Sequence, residues 1–285
     1  MSMLAKVFTA FLWGMLLIAV FLLGLNLYGL TQSIRKPDLH NTPQELLRFY
    51  PDTLISYEES LAQIDRLAEI DNTDQLVSKA NAIVNDSLMH VEWKKVDPVA
   101  YRQLIPPWEN YFLYVLGLVS SEPQIQRYHY ANYKRSIKRG IGVCGDAAIV
   151  LSSILDRYGI SNRLLSFTSG HVVVAYHSHD GAEYLVDPDF GVEMYVSLDE
   201  LVKKPEIIRS TYAHRGYTEK EINVLTRVYG SGYLVFDDTY HFMTKRYIFE
   251  EASYYLKWPL PLFMLAVALF GLLKLRTVRN HAQAE

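Results

Sequence analysis

Gly140–Ile160, GIGVCGDAAIVLSSILDRYGI, holds the only cysteine of a 285-residue chain, set among glycines in front of an apolar repeat. Ala147, Val150, Leu151, Ile154, Leu155 and Tyr158 recur at helical spacing, so the stretch after Cys144 reads as a helix that buries one face. Gly159 supplies its stop. Gly140, Gly142 and Gly145 permit a tight turn into that helix and a close approach of substrate. Cys144 then falls in the first turn, where backbone N–H groups lack internal acceptors and the positive end of the helix favours a thiolate. The same N–H groups suit a developing oxyanion. The plain alternative is a small buried hydrophobe, the commoner fate of a lone cysteine.

A thiolate nucleophile needs a base, and the base needs an orienting group. Gly170–Val192, GHVVVAYHSHDGAEYLVDPDFGV, alternates like two strands around a turn at SHDG. With Ser178, His179 and Asp180 as a three-residue loop, Tyr176 faces Ala182, Val173 faces Leu185 and His171 faces Asp187. Opposed residues hold their Cβ atoms about 4.5–5.5 Å apart on one face, which suits an imidazole–carboxylate hydrogen bond. Asp189 points to the same face and is the alternative partner.

Cysteine, histidine and aspartate in the order helix, strand, strand resemble the transglutaminase-like cysteine superfamily over about residues 75–200. The resemblance rests on GIGVCGDAAIVLSSILDRYGI, GHVVVAYH and YLVDPDFGV, and more weakly on PPWEN, which is similar to membrane-anchored bacterial members. It implies an α+β fold with a papain-like cleft, the cysteine helix packed on an antiparallel sheet. It also implies Cys144 as nucleophile, His171 as base and Asp187 as orienter. Val173 stands where eukaryotic-type members often carry an aromatic residue, so glutamine–lysine crosslinking specificity does not transfer. The superfamily includes proteases, amide hydrolases and inactive scaffolds, and fold alone does not choose among them. The expected activity is thiol-dependent hydrolysis or acyl transfer, without cofactor or metal. The alternative is an inactive binding or scaffold module.

Both ends of the chain read as membrane segments. Val7–Leu30, VFTAFLWGMLLIAVFLLGLNLYGL, is uncharged and long enough to cross a bilayer, which takes about 20 apolar residues. Without a convincing small-residue cleavage site it reads as an uncleaved anchor. Trp258–Leu273, WPLPLFMLAVALFGLL, reads as a second span if Tyr254, Tyr255 and Trp258 form its interfacial belt; a re-entrant helix is the alternative. Lys274, Arg276 and Arg279 draw the tail to the cytoplasm, outweighing Arg35 and Lys36 after the first span. The expected organisation is an anchor at 1–30, an extracytoplasmic transglutaminase-like domain at 31–257, a span at 258–273 and a basic cytoplasmic tail at 274–285. A bacterial inner-membrane protein with a periplasmic domain fits that order. Its partners are then the lipid bilayer and a peptide, amide or polysaccharide-linked acyl substrate of the envelope, with protein partners undefined.

Composition narrows the remaining classes. A net charge of −3 and a pI near 6.3 give no polyanion-binding signal, and no nucleic-acid module is recognisable. With one cysteine the thiol is never consumed by internal pairing. NTPQELLRFY predicts a helix with Thr42 as N-cap and Glu45 closing a capping box, and Thr218 and Glu221 predict another for TEKEINVLTRVY. The basic run RYHYANYKRSIKRG reads as a solvated helix face, with an anion site as the alternative. His177 and His179 belong to a polar turn rather than a zinc site, since no third ligand is evident. Asp146 reads as a helix-start carboxylate, Asn132 or Trp108 as conceivable oxyanion donors, and His90, His214 and His241 show no sequence partner.

Overall fold

The computed structural model describes residues 3–49 and 53–284, with side chains at 278, 279 and 281–284 left aside. Tyr50, the last residue of the helix expected at NTPQELLRFY, and the Arg279 side chain in the basic tail lie outside the described residues. The chain is α+β. In order it forms α1 (Met3–Gly29), β1 (Leu47–Phe49), α2 (Tyr57–Arg66), α3 (Thr73–Ser87) and β2 (Met89–Val91). Then come α4 (Pro107–Val119), α5 (Pro123–Gln126), α6 (Tyr133–Arg139), β3 (Ile141–Gly142) and α7 (Cys144–Arg157). A run of strands follows: β4 (Asn162–Phe167), β5 (Val172–His177), β6 (Glu183–Asp187) and β7 (Val192–Met194). The rest is α8 (Leu198–Lys203), α9 (Pro205–His214), α10 (Glu219–Tyr229), β8 (Tyr233–Phe236), α11 (Thr239–Leu256) and α12 (Pro259–Ala284).

Two compact units divide the chain. One gathers residues 1–34, 104–128 and 249–285; the other holds 35–103 and 129–248. Residues 104–128 and 249–257, inside the segment expected as one domain, therefore group with the terminal helices. In this unit α1 and the Pro259–Thr277 part of α12 are long and apolar enough to cross a membrane. They pack on each other at Gly271, where an added Cβ would come 2.8 Å from Leu12 Cδ1. Asn26 Nδ2 donates to the Lys257 carbonyl at 2.6 Å, and Tyr111 Oη donates to the same oxygen at 2.9 Å. Asn110 interrupts α4 with extended backbone, and its side chain caps the helix that resumes through Phe112 and Leu113 N–H groups. Tyr254, expected in an interfacial belt, hydrogen-bonds Glu109 at 2.7 Å.

The second unit is organised by a five-stranded antiparallel sheet in the order β7-β6-β5-β4-β8. Alternation along β5 feeds two cores. Val172, Val174 and Tyr176 pack with α3 and α7, whereas Val173 and Ala175 pack with residues of α8, α9 and α10. Ala147, Val150, Leu151, Ile154 and Leu155 of α7 are fully buried, as their spacing predicts. Gly159 adopts a left-handed φ of 69° just past α7, the usual helix stop. A separate three-stranded sheet, β1-β2-β3, leads into α7.

Three local expectations are corrected. NTPQELLRFY is not a helix: a 3₁₀ turn at Gln44–Leu46 leads into β1, and the Thr42 hydroxyl bonds the Leu39 carbonyl instead of capping. Pairing of Leu47 with Val91 competes successfully with the weak helix signal of a short segment. The β5–β6 register is two residues from the expected one, with Tyr176 opposite Tyr184, Ala175 opposite Leu185 and His177 opposite Glu183. The turn is longer than three residues because Ser178 N–H bonds the Ala182 carbonyl, Asp180 accepts from Ala182 N–H, and Gly181 takes φ 82°. The RYHYANYKRSIKRG run is not wholly a solvated face: Arg139 is buried, its guanidinium over the rings of Trp93 and Tyr130 at 5.1 and 4.9 Å. The capping box of Thr218 and Glu221 on α10 does form.

Candidate active site at the start of α7

Cys144 is the first residue of α7 and is partly exposed. The approach to it is forced through Gly140, which caps α6 at φ 76° and where an added Cβ would run into the Arg35 guanidinium. Gly142 is crowded too, with Asp146 Cβ and Leu88 Cδ1 each 3.0 Å from an added Cβ, whereas Gly145 faces open space. Asp146 Oδ2 accepts the Val143 N–H at 3.0 Å and His129 Nδ1 at 2.9 Å, which fixes the first turn. Burial opposes charge on Asp146, yet His129, Arg139 and the Val143 N–H hold its carboxyl below the usual range.

His171 lies just before β5 and Asp187 ends β6. They are not opposite in the observed register; the two-residue difference keeps parity, so both side chains stay on the α9–α10 face. His171 Nε2 lies 2.7 Å from Asp187 Oδ2. Asp187 is wholly buried and fully engaged. Its Oδ2 also accepts Tyr212 Oη at 2.6 Å, and its Oδ1 accepts the Asp189 and Phe190 N–H groups at 3.2 and 3.3 Å. Tyr212 meets Tyr229 through their hydroxyls at 2.8 Å. Burial alone would depress the His171 imidazole, but the charge and hydrogen bond of Asp187, helped by Cys144, carry it well above its ordinary value.

Cys144 Sγ, a His171 ring nitrogen and an Asp189 carboxylate oxygen lie within 4.8 Å of one another. Sγ is 3.8 Å from the Gly170 carbonyl. Asp189, the alternative partner from sequence, is committed elsewhere: its oxygens meet Arg48 Nη1 at 2.8 Å and His90 Nδ1 at 3.0 Å. Burial opposes its charge, yet Arg48 and His90 hold it well below the usual carboxylate range. A sulfur, nitrogen and oxygen donor set resembles a zinc site in kind. Here a metal ion would have to share Asp189 with Arg48 and His90 and sit beside the guanidinium.

A cleft of about 690 Å³ opens over these groups, walled by Arg48, Phe49, Trp93, Gly170, Phe190 and Leu225 among others. Neither Asn132 nor Trp108 lines it. Asn132 accepts the Lys134 N–H as cap of α6, and Trp108 belongs to the unit of the terminal helices. His90 has a partner after all in Asp189, His179 pairs with Asp74 at 2.7 Å and His241 with Asp238 at 2.9 Å. Sequence reading passed over Arg48, Tyr212 and Tyr229. None belongs to a local motif, and each reaches the site from a separate element.

No family model, curated protein or solved structure matches the chain.

Proposed function

We propose that the protein is a membrane-anchored cysteine acyl-transfer enzyme of transglutaminase-like type, with Cys144, His171 and Asp187 as its triad. The carrying observation is the convergence of Cys144 Sγ at a helix start with a histidine already bonded to a buried carboxylate, at the floor of an open cleft. A packed core cysteine requires neither partner. In the reaction Cys144 gives its proton to His171 and Sγ attacks the carbonyl carbon of an amide or ester. The N–H groups at the start of α7 stabilise the oxyanion. Collapse expels the leaving amine or alcohol, which takes the proton from His171, and leaves a thioester on Cys144. Water or a second nucleophile gives a proton to His171, attacks the thioester and restores the thiol. Asp187 holds the imidazole in the tautomer that faces sulfur.

The papain-like arrangement is part of the same reading. Its support is α7 packed on the β4–β5–β6 face with the histidine and aspartate at adjoining strand ends. The two long apolar helices support a membrane hairpin, and the Lys274 and Arg276 side supports a cytoplasmic tail. The substrate is then an amide or ester of the cell envelope.

Intact-mass analysis of the full chain in detergent, incubated with envelope extract, tests the reaction. The expected result is a hydroxylamine-labile adduct on Cys144 that is absent from Cys144→Ala. Absence of any such adduct, with the protein folded and the thiol intact, contradicts the reading and leaves a binding module.

A further inference from the structure

The cleft over Cys144 contains a cation that the acyl-transfer triad does not use. Arg48, in the middle of β1, lines the cleft together with Cys144, Gly170 and His171, and its side chain is 27% exposed. It is fixed from behind. Nη1 donates to Asp189 Oδ2 at 2.8 Å, and the wholly buried Asp189 is itself held by His90. His90 stacks on Phe49 at 4.2 Å, and the Arg48 guanidinium lies 5.5 Å from the ring centres of both Phe49 and Phe190. A guanidinium has five N–H donors, and Asp189 takes one. Such a fork, backed by a buried carboxylate and open on one side, is prepared for planar bidentate recognition of an anion.

The other charges of the cleft do not cancel it. Glu221 accepts the Thr218 N–H at 2.7 Å and the Thr218 hydroxyl at 2.6 Å, which ties its carboxylate to the α10 cap, and Lys94 and Lys220 line the same cleft. Glu92 faces Lys95 at 3.4 Å. Arg48 is also close enough to Cys144 and Asp187 for their charges to act on it. An anionic group held by Arg48 therefore sits near the reacting carbonyl.

We propose that Arg48 is the specificity residue of this cleft and that the acyl donor carries a carboxylate close to the carbonyl attacked by Cys144. The inference rests on the acyl-transfer reading, and it narrows the substrate to acidic amides or esters, such as peptides with an acidic residue or free carboxyl beside the reacting bond.

Two small alkylating agents test it without knowledge of the substrate. Iodoacetate and iodoacetamide react alike: the Cys144 Sγ–carbon bond forms as the carbon–iodine bond breaks, and iodide leaves with the electron pair. They differ in carrying a carboxylate or a neutral amide. The full chain in detergent is alkylated at pH 7 with each, and intact mass gives the two rates. The expected iodoacetate-to-iodoacetamide ratio is about tenfold above that of free cysteine, the worth of one charge-assisted hydrogen bond. Arg48→Gln should remove most of the excess over free cysteine, Arg48→Lys should retain part of it, and Lys94→Gln, Lys220→Gln and His171→Ala should each keep the preference. A wild-type ratio equal to that of free cysteine, or one unmoved by Arg48→Gln, overturns the proposal. If Arg48→Gln does not fold, Arg48→Lys read beside Lys94→Gln and Lys220→Gln decides it: a ratio lowered by the Arg48 change alone supports the proposal, and one lowered only by a lysine change overturns it. Iodoacetamide alkylation that ignores His171→Ala would instead sink the acyl-transfer reading, and the ratio would still report on Arg48.

Discussion

His171 Nε2 and Asp187 Oδ2 are 2.7 Å apart although the sheet register does not place the two residues opposite each other. The same oxygen accepts Tyr212 Oη at 2.6 Å, so Tyr212 is a positioning residue that acts through the carboxylate. Tyr212→Phe removes a donor to a buried charge and should cost about 1.5–3 kcal/mol of stability. A purely structural tyrosine would change melting alone. If Tyr212 positions the carboxylate, Tyr212→Phe should also move the pH profile of Cys144 alkylation, which labelling across pH would detect.

Asp187→Asn should leave the thiol in place but let the imidazole turn to the wrong tautomer. Turnover is then expected to fall by orders of magnitude, as in other triads, while Cys144 is still alkylated. A variant with unchanged turnover would remove Asp187 from the mechanism.

The pH dependence of stability has two sides. His171 is raised in the folded state, so its contribution is whole below the ordinary imidazole range and is lost as pH climbs through the raised value. Asp189 is depressed, so its contribution is whole above the ordinary carboxylate range and is lost as pH falls through the lowered value. Denaturant melts from mildly acidic to alkaline pH should show a decline in wild type that His171→Ala lacks. Arg48→Gln, by removing the charge that depresses Asp189, should lower stability at neutral pH and flatten the loss on the acid side.

Turn length controls the face on which Asp187 lies. Deleting one residue from Ser178–Ala182 shifts β6 by an odd number and turns Asp187 toward the α7 side. Activity should vanish even where circular dichroism shows a folded sheet. Gly181→Val, at φ 82°, should instead cost about 1–2 kcal/mol and keep the histidine–aspartate pair. Retained activity in the deletion would contradict the parity argument.

Much of this architecture was legible in the sequence, and the misses have physical causes. The stripe on α7, the stop at Gly159 and the Thr218–Glu221 box are local patterns, readable within one turn or two. Parity along β5 and β6 is local as well, which is why His171 and Asp187 could be put on one face. The register itself depends on hydrogen bonds inside the turn, which Gly181 and Asp180 set and composition does not reveal. β1 is three residues long and exists through its pairing with β2, so no periodicity announces it. Arg48, His90 and Tyr212 reach Asp189 and Asp187 across 141, 99 and 25 residues, and such meetings leave no trace in spacing.

The hairpin reading predicts a tail in the cytoplasm. A reporter fused after Glu285 should be active on that side only, and protease added to the outer face of permeabilised cells should cut within residues 53–248. A tail cleaved from outside would reverse the orientation.

The most direct measurement is the rate of iodoacetamide alkylation of Cys144 in the full chain as a function of pH, in wild type and in His171→Ala. A triad predicts fast labelling that persists near pH 6 in wild type, and a profile displaced upward when the imidazole is removed. Labelling that begins only above about pH 8.5, the range of an ordinary thiol, and is the same in both proteins would make Cys144 a packing residue.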